Sequence, residues 1–508
     1  SVARNLIITV NSPTASSVSM LPVLVKDIAT SFSYTDSDPE QFTSFAGKTY
    51  FVVKSGATDV PYYTDGTTAG TSALAPNLVL DFCYFLGEFK NRLYFSSSNN
   101  STGMELWSTD GTATGTVLLK DINPSGSSNP TMFTVVGNSL FFAANDGVHG
   151  TELWVTDGTE IGTHMTYDME PSSVPSDGAF VGSGIAFGNS IVFSRLTEPT
   201  DRNDLWIMDE FGNVATNLTQ QFTALYSVYA NATKKILYNN KIYFNFNEGN
   251  EGDELFVTDG TVSGTQIFKM ISGNVALSPN DFFLFNNKLC FTGFATGIGC
   301  CPDLFISDGT LPGTISLNAF AVAPSYAINN NILYFYGGDN TNGYELWKSN
   351  GTPSGTNMVK DIRVGGGSSG VNNLSWCAGK LYFTANDGVN QSQPWVSDGT
   401  TAGTMMLKNI YSGTNGSYSN NFIEYNSSVF FTARLSFNNF HLFQTNGTTA
   451  GTNTIQPIDA TNSSNPLGEN GSVLTIPTAI KVNNGMIFMK ANFHNVGREL
   501  YTIGSSQV

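Results

Sequence analysis

The sequence predicts an all-β fold, a β-propeller of about ten four-stranded blades. Three observations carry this prediction. A segment of roughly 40 to 50 residues recurs along the chain, as expected for propeller blades. Each copy consists of short aromatic or β-branched runs separated by Gly and Asn, and no copy has the i, i+3, i+4, i+7 apolar pattern of a helix.

Each repeat is expected to form four antiparallel strands. In the third repeat, numbering the repeats in chain order, the first strand is predicted around 133–136 and the second over 139–144. The third strand is predicted over 152–156 and the fourth over 164–169. Gly and Asn between these runs supply the turn conformations that tight hairpins require.

A glycine-containing turn marks the end of the third strand in every repeat. Its full form is [Asp/Asn]-Gly-Thr-x-x-Gly-Thr, and degenerate copies fall near Asp209 and Ile503. The glycines allow positive φ in the turn, so a phosphate-binding loop, which would have to open a helix, is not needed to explain them. The full copies start at Asp65, Asp110, Asp157, Asp259, Asp308, Asn350, Asp398 and Asn446.

Two aromatic positions recur with this turn. One is the Phe that closes the second strand, and the other lies three residues before the Asp-Gly pair. An aromatic ligand cage is one interpretation, but equal placement in ten repeats favours packing between neighbouring repeats. Five of the six tryptophans occupy the second position: Trp107, Trp154, Trp206, Trp347 and Trp395.

The two ends of the chain predict how a ring would close. Residues 22–28 match the fourth strand of other repeats, such as 117–122, whereas the last repeat, about 478–504, has only three strands. The N-terminal strand is therefore expected to complete the last blade. Two smaller propellers are the alternative, although no linker near the middle marks their boundary. The expected division is an N-terminal extension over 1–20 and a ten-repeat propeller over 21–508.

The repeats also resemble a known family. The segments 105–112 and 152–159 both read Glu-Leu-Trp-x-Thr-Asp-Gly-Thr, and they match the motif that gives the ELWxxDGT repeat proteins their name. The resemblance covers about residues 22 to 504, and repeats 4 and 10 depart most from the motif. It implies a propeller-like fold and a secreted or cell-surface setting. It brings no established catalytic residues.

Charge and hydropathy exclude several classes of partner. The chain has 40 acidic and 23 basic residues, a net charge of −17, and no cluster of Lys or Arg. A nucleic-acid surface or a patch for anionic membranes is therefore not expected. Apolar runs are too short for membrane insertion. The chain begins at Ser1 without a basic and apolar leader, which fits a signal peptide already removed, and an edited chain would look the same.

Acidic residues recur at the start of the third strand. A cross-strand ion pair with a fourth-strand Lys, or a carboxylate that caps backbone N–H groups, explains such a repeated position without catalysis. These residues are Glu105, Glu152, Asp204, Glu254, Asp303, Glu345 and Glu499. A glycan-active hydrolase or lyase would instead use acids specific to one repeat, such as Glu170, Asp201 or Glu424.

Metal and histidine chemistry have little support in the sequence. The four histidines are dispersed over three repeats, with His149 and His164 in different segments of the third, and no HExxH motif is present. The oxygen-rich loops 145–150 and 386–390 make Asp146 and Asp387 calcium candidates, with an Asx turn as the alternative. No other cofactor is expected.

Cysteines and glycosylation sequons add two further expectations. Cys290, Cys300 and Cys301 are close enough in sequence for one local disulfide across a predicted hairpin, with buried free thiols as the alternative. Sites for N-glycosylation, which requires a eukaryotic secretory host, are Asn99, Asn231, Asn415, Asn462 and Asn470.

These features favour a non-catalytic extracellular or cell-surface propeller that serves adhesion, ligand binding or coat structure. Its expected partners are surface glycans or proteins, or further copies of itself in a homopolymer. One alternative is a structural subunit of an extracellular filament or sheath, joined through the β-forming segment 5–10. The other is the glycan-active hydrolase or lyase. Fold alone does not choose among them.

Overall fold

A computed structural model confirms that the chain is all-β. In the part of the chain that it describes, the only helical element is a 3-10 turn over Pro353–Gly355, and no helix is long and apolar enough to cross a membrane. The described residues are 21–28, 37–55, 58–76, 80–99, 101–168, 184–197, 202–222, 234–247, 253–269, 277–294, 301–412, 416–436, 439–456, 480–483, 485–493 and 498–504.

The described residues form 39 strands. The N-terminal strand is β1 (Val23–Lys26). Repeats 1 to 3 contain β2 (Glu40–Phe45), β3 (Lys48–Ser55), β4 (Thr58–Thr64), β5 (Ser72–Ala73), β6 (Asp81–Phe89), β7 (Arg92–Ser98), β8 (Glu105–Thr109), β9 (Val117–Lys120), β10 (Thr131–Val136), β11 (Ser139–Asn145), β12 (Thr151–Thr156) and β13 (His164–Met165).

The middle repeats follow the same plan until β25. Repeats 4 to 6 contain β14 (Ile185–Phe187), β15 (Ser190–Thr197), β16 (Arg202–Asp209), β17 (Ala215–Asn217), β18 (Lys235–Tyr238), β19 (Lys241–Asn247), β20 (Asp253–Thr258), β21 (Gln266–Lys269), β22 (Asn280–Phe285), β23 (Lys288–Gly293), β24 (Asp303–Ser307) and β25 (Ile315–Asn329).

The last repeats end with a three-stranded unit. Repeats 7 to 10 contain β26 (Ile332–Asp339), β27 (Gly343–Ser349), β28 (Asn357–Lys360), β29 (Asn372–Cys377), β30 (Lys380–Asn386), β31 (Ser392–Ser397), β32 (Met405–Met406), β33 (Asn420–Tyr425), β34 (Ser428–Ser436), β35 (Asn439–Thr445), β36 (Asn453–Thr454), β37 (Ile480–Asn483), β38 (Met486–Ala491) and β39 (Glu499–Ile503).

These strands form eight four-stranded sheets and one seven-stranded sheet, all antiparallel. Four separate strands were expected in every repeat, and repeats 6 and 7 differ from this. The 15-residue β25 is both the last strand of repeat 6 and the first strand of repeat 7. The two repeats therefore share one continuous sheet.

A turn and a β-bulge determine the shape of the first strand of a repeat. Its turn into the second strand often has two residues of positive φ, such as Asn239 (48°) and Asn240 (55°), which suits the twist of a hairpin. Its start carries a β-bulge in several repeats. In repeat 6, Asn280 pairs with Thr292 and Phe283 with Cys290, so an extra residue is accommodated before the strand becomes regular.

The core lies between the sheets. Each of ten apolar clusters among the described residues joins one repeat to the next. The cluster of repeats 2 and 3, for example, contains Tyr94, Leu106, Phe142 and Trp154. Since a single sheet cannot bury both faces alone, neighbouring repeats stabilise one another.

The first and last repeats are also in contact. Strand β1 pairs with β39, with Val23 opposite Thr502 and Leu24 opposite Tyr501. One apolar cluster contains Val25 and Phe51 together with Phe488. The N-terminal strand thus supplies the fourth strand of the last sheet, as the sequence predicts.

Candidate functional site

The repeated Asp-Gly-Thr turns are held by hydrogen bonds among their own side chains and backbone. In repeat 2, Asp110 Oδ1 accepts hydrogen bonds from the backbone N–H of Thr112 at 2.9 Å and from its hydroxyl at 2.7 Å. The Thr112 hydroxyl oxygen in turn accepts from the N–H of Gly115 at 2.9 Å. The hydroxyl bond from Thr112 holds the pKa of Asp110 below its usual value. The same bonds recur in the other full copies, so this carboxylate is a structural element of the turn.

Fourth-strand lysines join these turns to the preceding repeat. Lys120 Nζ donates to the carbonyl of Thr163 at 2.6 Å, and Lys26 Nζ donates to that of Thr71 at 2.7 Å. Each lysine therefore reaches the turn of the next repeat. Of the two explanations for the recurring third-strand acid, an ion pair with the fourth-strand lysine does not occur for Lys120.

The structure places the recurring acid as a backbone cap. Glu105 accepts from the N–H of Ile122 at 2.9 Å and from the N–H and hydroxyl of Ser128 at 3.1 and 2.6 Å. Burial raises the pKa of Glu105, although these hydrogen bonds oppose the shift. These contacts fix the linker to the next repeat. Buried carboxylates with raised pKa values can be catalytic, but Glu105 is engaged by the linker of its own repeat.

Repeats 7 and 8 show that this position does not require a carboxylic acid. Glu345 accepts from the N–H of Ile362 at 2.9 Å, and burial raises its pKa to about 6. In repeat 8 the position is Gln393, whose Oε1 accepts from the N–H of Ile410 at 3.0 Å. A neutral amide thus makes the equivalent contact, which supports a structural role.

The two calcium candidates lie in closed Asx turns. Asp146 Oδ1 accepts from the N–H of Val148 at 2.9 Å and of His149 at 2.8 Å, and its Oδ2 lies 2.7 Å from His149 Nδ1. Asp387 Oδ1 accepts from the N–H of Val389 at 2.9 Å and of Asn390 at 2.7 Å. Within the described ranges, no group of three or more His, Cys, Asp or Glu side chains could hold a metal. Calcium binding therefore stays a prediction without a ligand set.

The predicted disulfide region contains a deeply buried thiol. Cys290 lies in β23 with a free thiol, and burial raises its pKa to about 12. Cys301 is half-buried, and Cys300 lies outside the described residues. The other buried cysteines are Cys83 and Cys377.

The remaining candidates are dispersed. Glu424 is exposed on β33 and accepts from the N–H of Ala378 at 2.5 Å. Among the sequons, Asn99 uses its side-chain oxygen in a turn with Ser101 and Thr102. The candidates outside the described residues are Glu170, Asp201, Asn231, Asn415, Asn462 and Asn470.

The five recurring tryptophans lie between repeats. Trp107 donates its indole N–H to the carbonyl of Ser97 at 2.9 Å and packs in the cluster of repeats 1 and 2. The other four lie in the corresponding clusters and are buried or half-buried: Trp154, Trp206, Trp347 and Trp395. Their rings are therefore placed for packing and not as an exposed cage.

A different aromatic side chain, Tyr326, lies at an accessible groove across repeats 6 to 8. The residue is 40% exposed, and its ring stacks on Phe283 of the neighbouring repeat, with centroids 4.3 Å apart and planes at 22°. A cavity of about 310 Å³ lies on the repeat 6 side and one of about 270 Å³ on the repeat 8 side. Both cavities are lined by Ser325 and Tyr326. We call these cavities and the ring between them the Tyr326 groove.

The shared strand β25 produces this groove. Between repeats 7 and 8, Val359 of β28 and Ile362 of the following linker lie in the apolar cluster. Between repeats 6 and 7, β25 runs through without such a linker and contributes Leu317 and Ala321. The pairing of β25 with β26 is irregular between Ala321 and Tyr326, and both of these residues line the repeat 6 cavity. The groove is thus a departure from the repeat plan.

The two cavities have different linings. The repeat 6 cavity is lined by Phe282, Phe283, Phe335, Leu304, Leu333 and Ala321, together with the polar Asp281, Thr292 and Ser325. The repeat 8 cavity is lined by Asn372, Asn373 and Leu374 in addition to the two shared residues. Burial raises the pKa of Tyr326, so its hydroxyl stays neutral. An apolar wall beside a few amide, hydroxyl and carboxyl groups is typical of small-molecule sites.

The sequence did not predict this groove, because Asp281 and Tyr326 belong to different repeats and occupy no recurring column. One signal was available. The interval between the turns at Asp308 and Asn350 is the shortest between neighbouring full copies. A short interval leaves too few residues for a separate linker, so it indicates an irregularity at repeat 7.

Comparisons with known proteins give limited information. No family model matches the chain, and no curated protein sequence matches it. Among solved structures, a puromycin hydrolase has a TM-score of 0.32 and 10% identity, covering 70% of this chain and 59% of that chain. A structure from a study of two prolyl endopeptidases has a TM-score of 0.33 and 12% identity, covering 71% of this chain and 50% of that chain.

A third solved structure is an oligogalacturonate lyase in complex with manganese, with a TM-score of 0.32 and 11% identity, covering 73% of this chain and 98% of that chain. This chain spans only 59% and 50% of the length of the puromycin hydrolase and prolyl endopeptidase structures. All three are named as hydrolases or lyases. Similarity at this level says nothing about the activity of this chain.

Proposed function

We propose that this protein is a non-catalytic, extracellular or cell-surface β-propeller that binds glycans in the Tyr326 groove. One observation carries the proposal. Tyr326 is 40% exposed and lines two cavities that present hydroxyl and amide groups, where the shared strand β25 departs from the repeat plan. An aromatic face suits the C–H face of a sugar ring, and the surrounding polar groups suit its hydroxyls.

A binding role is favoured over hydrolysis by the distribution of carboxylates. Glycoside hydrolysis generally uses two carboxyl groups on either side of the bond to be cleaved. Among the described residues that line the groove, Asp281 is the only carboxylic acid. The recurring acids Glu105 and Glu345 are engaged with their own linkers. The groove can thus hold a sugar, and it lacks the paired acids for cleavage.

The proposed architecture is a single closed ring of ten blades, with residues 21–508 as the propeller. Its support is the continuous series of apolar clusters, which passes from repeat 5 to repeat 6 through Tyr243 and Phe291 without a break. Further support comes from the contacts of repeat 10 with repeat 1. Two smaller propellers would need a second pair of closing contacts between non-consecutive repeats. The ten clusters join only consecutive repeats, apart from the pair that closes the series.

The proposed setting and partners extend the same reasoning. A low-charge surface rich in Asn, Ser and Thr suits contacts with neutral polymers, and the proposed partners are surface glycans. Assembly into a filament through residues 1–20 remains an alternative prediction, because that segment lies outside the described residues. Removing residues 1–20 and finding unchanged light scattering of assembled protein would overturn it.

Binding and turnover can be measured together. The protein is titrated with a panel of oligosaccharides, and the solution is analysed for shortened products. Tyr326→Ala should weaken binding at least tenfold because the stacking face is lost. Tyr84→Ala is a matched control, since Tyr84 is an exposed tyrosine on β6, a first strand outside the groove.

Each outcome bears on the proposal. Binding that weakens with Tyr326→Ala and not with Tyr84→Ala supports it. Equal binding by both variants, or no binding by any glycan of the panel, overturns it. Release of shortened products would favour the hydrolase or lyase alternative.

A further inference from the structure

The repeat 6 cavity of the groove is walled by aromatic rings. Phe282, Phe283, Tyr326 and Phe335 line it, with aliphatic side chains completing the wall. Phe283 and Tyr326 are already stacked on each other, so the cavity presents ring edges and faces in fixed positions. Aromatic walls of this kind attract an ammonium group lying within about 6 Å of a ring centre.

The same cavity contains one carboxylate. Asp281 occupies the bulge of β22 with φ of 52°, a left-handed conformation that Asp tolerates well. Its Oδ2 accepts the hydroxyl hydrogen of Thr292 at 2.9 Å. No described residue donates to its Oδ1, which leaves one carboxylate oxygen for a ligand. A cation that leaves water for an apolar cavity requires such a countercharge.

The acid is specific to this repeat. Four other described bulges have the same positive φ at the corresponding position, and all carry neutral residues: Gln41, Met132, Asn373 and Asn421. The bulge itself therefore does not require a carboxylate. The carboxylate of Asp281 is thus a feature of this repeat among the five bulges, and it coincides with the aromatic cavity.

Positive groups are absent from the linings. None of the described residues that line either cavity of the groove is Lys, Arg or His. One lysine lies beside the repeat 6 cavity: Lys234 Nζ donates to the side-chain oxygen of Asn280, the residue before Asp281. Its charge would oppose a cationic ligand, so it sets a limit on the affinity and provides a test.

From these observations we infer that the repeat 6 cavity binds an ammonium group, and that the preferred ligands are glycans with a free amino group. This inference rests on the proposed glycan-binding function. The amino group lies between the aromatic walls and donates to Asp281 Oδ1. The attached sugar stacks on Tyr326, and the next sugar reaches Asn372 in the repeat 8 cavity. A cavity of about 310 Å³ is sufficient for one sugar ring.

A matched pair of ligands tests the charge directly. Glucosamine oligomers and N-acetylglucosamine oligomers of equal length differ in the amino group, which is cationic in the first and a neutral amide in the second. Titration calorimetry below the pKa of the amine should show at least tenfold tighter binding of the glucosamine oligomer. Raising the pH until the amine is neutral should remove the preference.

Three variants assign the preference to the cavity. Asp281→Asn keeps the shape and should reduce the preference to about equal binding. Glu88→Gln is the matched control, because it removes one negative charge from the exposed surface of another first strand, β6, and should leave the preference unchanged. Lys234→Met should increase the preference. Thermal unfolding of each variant verifies that the fold is retained.

The outcomes separate the inference from the proposed function. If both oligomers bind equally to the unaltered protein and binding is lost with Tyr326→Ala, the inference is wrong and the proposed function stands. If the preference survives Asp281→Asn, it comes from the overall negative charge and the inference is wrong. If no glycan binds, the proposed function fails as well.

Discussion

Lys490 Nζ lies 2.9 Å from Asp38 Oδ1, so a lysine of the last repeat forms an ion pair at the start of the first. The same nitrogen lies 3.1 Å from Glu40 Oε1, and the Lys490 side chain is only 5% exposed. Lys54 adds a second cation at 3.0 Å from Glu40 Oε2. The first and last repeats are therefore joined by ion pairs as well as by their shared apolar cluster. We call this contact the junction of the first and last repeats.

Removing the buried cation should destabilise the protein strongly. Lys490→Met removes the cation that Asp38 and Glu40 share and leaves each with one other cation, Arg498 at 3.3 Å and Lys54 at 3.0 Å. Breaking a buried pair costs about 3–5 kcal/mol, and the remaining cations place the expected loss at the lower end of this range. Urea unfolding followed by fluorescence measures the loss. The control is Lys54→Met, whose side chain is 43% exposed and which should cost less than about 1 kcal/mol. Equal losses from both substitutions would contradict the special role of Lys490.

The same junction should weaken in acid. Burial alone would raise the pKa of Glu40, but its hydrogen bond to Lys54 and the charge of Lys490 outweigh burial and hold the pKa below its usual value of 4.5. A carboxylate with a lowered folded-state pKa contributes stability above its unfolded pKa and loses that contribution as the pH falls through the folded value.

The expected result is a difference in melting temperature between the unaltered protein and Glu40→Gln that is constant from pH 7 to about pH 5. The difference should shrink at lower pH, where Glu40 becomes protonated. Thermal unfolding across this pH range measures it. A difference that stays constant down to pH 3 would show that Glu40 does not titrate in this way.

Glu345 should have the opposite effect on stability. Burial raises its pKa to about 6, so the fold favours the protonated form. Stability from this group is present below the unfolded pKa and is lost as the pH rises through 6. Glu345→Gln should remove this loss and should not destabilise the protein at pH 7.5, because Gln393 makes the equivalent contact in repeat 8. Strong destabilisation by Glu345→Gln would mean that the charge itself is required.

The strands and turns were predictable because the chemistry that forms them is local. The predicted strands of repeat 3 agree with β10 to β12 within two residues, and the fourth, β13, is shorter than expected. The Asp110 turn is equally local, since its bonds lie within one short segment. Repetition then shows which residues belong to every repeat.

Features that depend on contacts between two repeats were harder to predict from the sequence. The sequence left two explanations for Glu105, because only the path of the following linker decides whether the carboxylate meets backbone N–H groups or a lysine. The Tyr326 groove depends on the register of β25 against β26. A shift of this register by one residue would turn each side chain of the strand to the other face of the sheet. Such contacts require the assembled repeats.

The second glycine of the Asp-Gly-Thr turn should not tolerate a side chain. A Cβ at Gly115 would overlap the carboxylate of Asp110, which is held in place by Thr112. Gly115→Ala should therefore lower the free energy of unfolding by about 2 kcal/mol or more. Gly366→Ala is the control, because a Cβ at Gly366 meets no atom within 4 Å. Chemical unfolding measures the stability of both variants. If Gly115→Ala were as stable as the control, this account of the turn would be wrong.

The pairing of β1 with β39 predicts a sharp boundary in N-terminal truncations. Removing residues 1–20 keeps β1 and should leave the melting temperature unchanged. Removing residues 1–28 deletes β1, exposes the edge of β39 and uncovers the cluster in which Val25 is buried. Burying a Val side chain contributes about 1.5–3 kcal/mol, and the lost strand pairing adds to this, so the second truncation should melt clearly earlier. Calorimetry of the two truncated proteins measures the step. Equal melting temperatures would mean that β1 does not hold the last repeat, and the proposed ring closure would then be wrong.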